Sequence, residues 1–190
     1  WDDTKFPSGI HSLSQYVHSK GLLFGIYSGA GTETYKHLPG SLGHETEDAK
    51  LFADWECDYL KYDYYHDGSY VPVPERDVLM QVALNATGRP IFYSNSGAGF
   101  TLPWTWGPKV LNSWRISLDI KPNWESLVRI IDTFIQVSHF GGPGAWNDGD
   151  MLEVGVEGLT LAEQKSHFAL WCFFKSNLLL GNDMTKVDEQ

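Results

Sequence analysis

The sequence predicts an α/β protein with a parallel sheet covered by helices, and three observations predict it. Strand-like apolar runs and helical segments alternate about six times along the 190 residues, the pattern of a parallel sheet. The repeats have the length of βα units. No Gly-rich phosphate-binding turn opens the first unit, which weighs against a dinucleotide-binding sheet and leaves a barrel or another open sheet. The length suits one domain with a substantial core.

Each element has its own signal. Ile10, Leu13 and Val17 recur at helical spacing, and Gly21 follows as a stop. The apolar run 22–27 is short enough for a buried strand. Residues 44–56 form a second helix with Ala49, Phe52 and Ala53 on one face, leading into a strand over 58–63. In the helix 75–87 the apolar stripe is Val78, Leu79 and Val82, and Gly88 ends it. Strands follow over 90–94 and 111–119, then a helix over 124–138 with Leu127, Ile130, Ile131 and Phe134 inward. A short stretch around 144–146 precedes Thr160 and Glu163, a capping box opening the helix 161–176. Residues 178–180 form the last strand. A closed (β/α)₈ barrel takes about 250 residues and eight strands. Six units therefore predict an incomplete barrel domain over residues 1–190, and Trp1, directly before a helix, places the two further strands upstream.

Composition narrows the partners. A net charge of −10 and a pI near 5.0 argue against nucleic acid and anionic membranes. A neutral carbohydrate is compatible with that charge. Aromatics make up 14% of the chain, with eight Trp; such rings pack on the apolar faces of sugars, although most Trp residues are core. No run of 18 apolar residues predicts a membrane-spanning helix, and Trp1 to Lys5 shows no signal peptide. Seven histidines without metal-ligand spacing predict no metal, and no cofactor is called for. Cys57 and Cys172 read as two buried free thiols rather than a disulfide. A homo-oligomer is left open.

Barrels carry their active sites at the C-terminal ends of the strands. Lys61 and Asp63, two apart, point to one face at such an end. Arg115 and Asp119, four apart, share a face if their strand persists. Two carboxylates and two cations would then meet at one mouth, and a carboxylate pair flanking a glycosidic bond is the machinery of glycoside hydrolysis. Periodicity alone equally allows two local ion pairs that finish their strands.

The segments Lys5-Phe6-Pro7-Ser8-Gly9-Ile10, Val17-His18-Ser19-Lys20-Gly21-Leu22 and Gly25-Ile26-Tyr27-Ser28 resemble glycoside hydrolase family 27, in that family's order. The resemblance continues through Pro39-Gly40-Ser41-Leu42-Gly43-His44, the strand at 58–63, Trp114-Arg115, the run from Trp146 to Glu153, and Phe168-Ala169-Leu170-Trp171. That family contains the α-galactosidases and α-N-acetylgalactosaminidases. The resemblance implies a (β/α)₈ TIM barrel, of which this chain covers about strands three to eight, and a retaining α-galactosidase activity. It implies Asp63 as nucleophile and Asp119 as acid/base, with the two carboxyl groups about 5–5.5 Å apart. Lys61 and Arg115 look like cations that bind sugar hydroxyls and keep Asp63 ionised, and Tyr27 like a ring lining the sugar site. Asp148 and Asp150 resemble the loop after strand seven, where Asp150 either orients Arg115 or serves an Asx-turn.

Other positions depart from the family or refine it. Two disulfides that brace the active-site loops in many relatives are replaced as whole pairs, at Tyr35 with Tyr65 and at Asn95 with Leu111. Packing is expected to hold those loops instead. Ser96 stands where α-galactosidases often place a bulkier residue against the sugar 2-hydroxyl. The small residues Ser96 to Gly99 leave α-N-acetylgalactosaminidase activity as an alternative, unless the glycines serve the backbone turn. A catalytically silent barrel fragment is the other. Asn85-Ala86-Thr87 is a glycosylation acceptor, which points to a secreted or lysosomal/vacuolar glycoprotein.

Overall fold

The computed structural model describes residues 1–64 and 71–186. The chain divides into two compact units, Trp1–Ser96 and Gly97–Gln190. Tyr65, predicted to replace a bridge cysteine, lies outside the described residues.

The first unit runs α1 (Gly9–Ser19), β1 (Gly25–Gly29), α2 (Glu45–Asp54), β2 (Tyr59–Asp63), α3 (Val73–Ala86) and β3 (Phe92–Asn95). Its strands pair in parallel, β1 with β2 and β2 with β3. Gly21 and Gly88 end α1 and α3 with the positive φ that glycine tolerates, 73° and 75°. The core comprises Ala49 and Phe52 of α2, Leu60 and Tyr62 of β2, and Met80, Ala83 and Leu84 of α3.

Two expectations are corrected in this unit. The first strand starts at Gly25, and Leu22 and Leu23 stay exposed. The ladder begins where Asp58 engages Phe24, through Asp58 N–H to the Phe24 carbonyl (2.8 Å) and Phe24 N–H to Asp58 Oδ2 (2.8 Å). Helix α3 is turned the other way: Val78, Leu79 and Val82 are exposed, while Arg76, Asp77, Met80, Ala83 and Leu84 are buried. Asp77 and Arg76 tolerate burial because each has polar partners waiting, Tyr93 and Asn95 for Asp77 and the Val71 carbonyl for Arg76 Nε.

The second unit runs β4 (Ser113–Arg115), α4 (Trp124–Val137), β5 (Trp146–Asp148) and α5 (Leu161–Phe174), with β4 and β5 parallel. Asn123 caps α4 by accepting from Ser126 N–H at 2.9 Å. Thr160 and Glu163 close the expected capping box on α5: Thr160 N–H reaches Glu163 Oε2 at 2.7 Å, and Glu163 N–H reaches Thr160 Oγ1 at 3.3 Å. Leu127, Ile130 and Phe134 are buried as read, whereas Ile131 is half-buried. Asn147 sits at the centre of the unit, accepting from Trp114 Nε1–H (2.8 Å) and donating to the Val137 carbonyl (3.0 Å).

Here too the strand bounds shift. The strand expected over 111–119 stops at Arg115, because Arg115 folds back onto the Ser117 carbonyl (3.1 Å) and the chain bends there. Residues 178–180 contribute one parallel bridge, Leu152 to Leu180, rather than a strand. Both cysteines are free; Cys57 is buried, but Cys172 is exposed because it lies off the α5 face that carries His167 and Trp171. No helix among the described residues is long and apolar enough to cross a membrane.

Candidate active site

In the first unit, strand register builds the site. Tyr27 of β1 pairs with Lys61 of β2, and Lys61 with Ser94 of β3, so these three side chains form one row on one face. Asp63 lies two residues beyond Lys61 on that face, at the C-terminal end of β2, where it pairs with Gly29. Tyr27 donates its hydroxyl to Asp63 Oδ2 at 2.8 Å, and Tyr64 N–H donates to Oδ1 at 2.8 Å. Both oxygens of Asp63 are therefore held as acceptors in a fixed orientation. Ser96 is buried just past β3, and its N–H continues the ladder to the Tyr62 carbonyl at 2.9 Å. Sequence reading did not single out Ser94; its parity with Ser96 is the signal that would have found it.

The opposite face of the same strands holds a carboxyl group that sequence reading missed. Asp77 of α3 is fully buried. Tyr93 donates its hydroxyl to Asp77 Oδ1 at 2.8 Å, and Asn95 Nδ2 donates to Oδ2 at 3.0 Å. Tyr64 donates its hydroxyl to Oδ2 as well, and Asn95 Nδ2 also reaches the Tyr64 oxygen at 2.9 Å. Burial pushes the Asp77 carboxyl up to about 8, against the opposing effect of the Tyr93 and Asn95 hydrogen bonds. Asn95 is thus held by a polar network, where packing was expected.

At the other end of β2, Asp58 serves structure. It binds His18 Nε2 (2.7 Å), Arg89 (2.7 Å) and Phe24 N–H (2.8 Å). Burial opposes its ionisation, but the Phe24 amide, His18 and the Arg89 charge outweigh it and hold the carboxyl below its usual range.

The second unit carries the other predicted residues. The Arg115 side chain is 3% exposed, and its guanidinium contacts Asp119 Oδ1 at 3.2 Å and Asp150 Oδ2 at 2.9 Å. The Asp119 side chain is 90% exposed. The two meet through the bend after β4, not through strand alternation as the sequence suggested. Asp150 Oδ2 also accepts from Ile120 N–H at 2.9 Å, and Oδ1 from Met151 N–H at 2.8 Å. The turn-forming role belongs to Asp148, whose Oδ1 accepts from Asp150 N–H at 2.8 Å. Asp150 adopts φ +85°, a conformation rare for a non-glycine residue. In the loop before β4, Gly99 combines φ +78° with a backbone so close that a Cβ would lie 2.6 Å from the Ile116 carbonyl oxygen.

In each unit parallel βα elements carry carboxylates at or just past a strand's C-terminal end, Asp63 in the first and Asp119 and Asp150 in the second, the arrangement expected of a (β/α)-barrel protein. Over residues 1–190 the chain matches the Melibiase_2 family, described as alpha galactosidase A, and it belongs to that family. An α-galactosidase of Cyamopsis tetragonoloba is 49% identical over 185 residues, covering 97% of this chain and 45% of the relative. The crystal structure of α-galactosidase I from Mortierella vinacea superposes with a TM-score of 0.95 at 40% identity, covering 99% of this chain and 53% of that one. The α-galactosidase of Saccharomyces cerevisiae superposes with a TM-score of 0.94 at 37% identity, covering 98% and 47%. The fold is that of part of a (β/α)₈ barrel, and the chain spans about half the length of the relatives it matches.

Proposed function

We propose that this chain supplies the catalytic residues of a retaining exo-glycosidase that removes terminal α-galactosyl groups by double displacement. Asp63 attacks the anomeric carbon while Asp119 gives its proton to the departing glycosidic oxygen. The C–O bond breaks and a β-galactosyl ester forms on Asp63. Water, deprotonated by Asp119, then attacks that carbon and frees the Asp63 carboxylate. The observation that carries this reading is Asp63 itself, with both oxygens fixed by Tyr27 and Tyr64 N–H on the face that also presents Lys61. Lys61 and Arg115 bind sugar hydroxyls, Tyr27 and Ser96 line the sugar, and Asp150 orients Arg115.

Galactose is preferred over N-acetylgalactosamine for two reasons. The relatives at 40–50% identity are named α-galactosidases. The small Gly99 answers to the Ile116 backbone, so its size is explained without an acetamido pocket. Asn85 lies exposed in the last turn of α3, and we assign it as a glycosylation site on a secretory or lysosomal/vacuolar route.

The test uses the full-length protein. Asp119→Asn given azide and an aryl α-galactoside should yield α-galactosyl azide, because a small anion needs no general base to open the β-ester on Asp63 and does so with a second inversion. A β-azide product, or full turnover in Asp63→Asn, overturns the reading.

A further inference from the structure

We propose that Asp77 is a positioning residue for the nucleophile: through the Tyr64 hydroxyl it fixes the backbone amide that orients Asp63, and through Asn95 it ties that point to the end of β3. This inference rests on the reading of Asp63 as nucleophile.

The geometry is a short chain of contacts. Tyr64 is the first residue after β2, and its N–H donates to Asp63 Oδ1 at 2.8 Å. Its hydroxyl, at the far end of the same residue, donates to Asp77 Oδ2. Asn95, the last residue of β3, donates from one amide nitrogen both to Asp77 Oδ2 (3.0 Å) and to the Tyr64 oxygen (2.9 Å). Ser96 follows directly in sequence. One buried side chain of α3 therefore fixes the residue after β2 and the residue before Ser96 together. Tyr93 occupies the remaining Asp77 oxygen at 2.8 Å.

An acid is an expensive choice for this position. Asp77 is fully buried, and its hydrogen-bond partners are two phenols and an amide, so no charge among them offsets its desolvation. An apolar residue would join Met80 and Leu84 of the same helix face without that cost. A single carboxyl group, however, accepts from three donors, one just past β2 and two on β3, and a fully satisfied network of that kind specifies one geometry. The raised pKa of Asp77, to about 8, is what so dry a position produces.

The experiment compares Tyr64→Phe, Asp77→Asn, Asp77→Leu and the double variant Tyr64→Phe/Asp77→Leu in the full-length protein, with Asp63→Asn alongside, on an aryl α-galactoside. Tyr64→Phe and Asp77→Leu should each lower kcat by about tenfold or more, as misplacement of a nucleophile does, with KM unchanged within about twofold. Asp77→Asn, which keeps an acceptor and the volume, should recover most of kcat. The double variant should be no worse than the poorer single, because both cut the same chain of contacts. Full kcat in Tyr64→Phe, or additive losses in the double variant, overturns the inference while Asp63→Asn stays inactive. Turnover by Asp63→Asn instead defeats the underlying reading of the nucleophile. If Asp77→Leu does not fold, Tyr64→Phe, which removes one hydroxyl, decides alone.

Discussion

Arg115 is gripped by a buried partner and touched by an exposed one: Asp150, 8% exposed at its side chain, lies 2.9 Å away, while Asp119, 90% exposed, lies at 3.2 Å. The inner carboxylate is the anchor. It also accepts from Ile120 N–H, so the residue that holds the arginine holds the backbone next to Asp119.

Replacing Asp150 should therefore cost stability as well as turnover. Asp150→Ala leaves the Arg115 charge buried beside a solvated partner, a change of about 3–5 kcal/mol. Urea unfolding of the full-length protein should show that loss. Asp119→Ala, which removes only the exposed partner, should change stability by less than about 1 kcal/mol. Equal losses in the two variants would mean that Asp150 is not the anchor.

Tyr27→Phe should lower kcat without disturbing the fold. The hydroxyl makes a hydrogen bond to a carboxylate, worth about 1.5–3 kcal/mol, or roughly 10–100-fold in rate. Steady-state kinetics on an aryl α-galactoside check it, and a loss confined to KM would count against the role given to Tyr27.

Stability should respond to pH in opposite directions at two buried groups. Burial raises Asp77 to about 8, whereas an unfolded aspartate titrates near 3.9. Its contribution is fully present below about pH 4 and is lost as pH rises through 8. Burial lowers His167 to about 4, against about 6.5 when unfolded, so its contribution is present above about 6.5 and is lost as pH falls to 4. Urea unfolding at pH 5 and pH 8 should show Asp77→Asn gaining on the parent toward pH 8. His167→Gln should gain on the parent toward pH 5. A constant difference for either variant would contradict the corresponding assignment.

Thr160→Ala should destabilise by about 1 kcal/mol, the usual value of a capping side chain. The hydroxyl accepts from Glu163 N–H, and its removal opens the box that starts α5. Thermal unfolding measures it directly, and an unchanged Tm would show that tertiary packing alone holds the helix start.

The alternation of strand and helix was legible because apolar spacing reports it directly, and the capping box at Thr160 was legible because its signal is local. Helix α3 was misread for a physical reason. Asp77 looks solvent-facing to any hydrophobicity pattern, and only the three-dimensional convergence of Tyr64, Tyr93 and Asn95 makes its burial tolerable. Lys61 and Asp63 share a face by strand parity, which sequence supplies. The pairing of Arg115 with Asp150 spans 30-odd residues and has no local signature; the family resemblance suggested it, and the ion pair at 2.9 Å gives it geometry. The meeting of Arg115 with Asp119 was anticipated for the wrong cause, since the strand ends at Arg115.

The register of the first unit bears on how the protein is made. β1 pairs with β2 and β2 with β3, so each strand leaving the ribosome finds its neighbour already synthesised. Every closure spans a single intervening helix, which keeps the entropy of each step small, and synthesis from the N-terminus presents the strands in that same order. The nascent chain can zip up one strand at a time, and Asp63 and Tyr64 have emerged before β3, with Asn95 at its end, arrives to lock them.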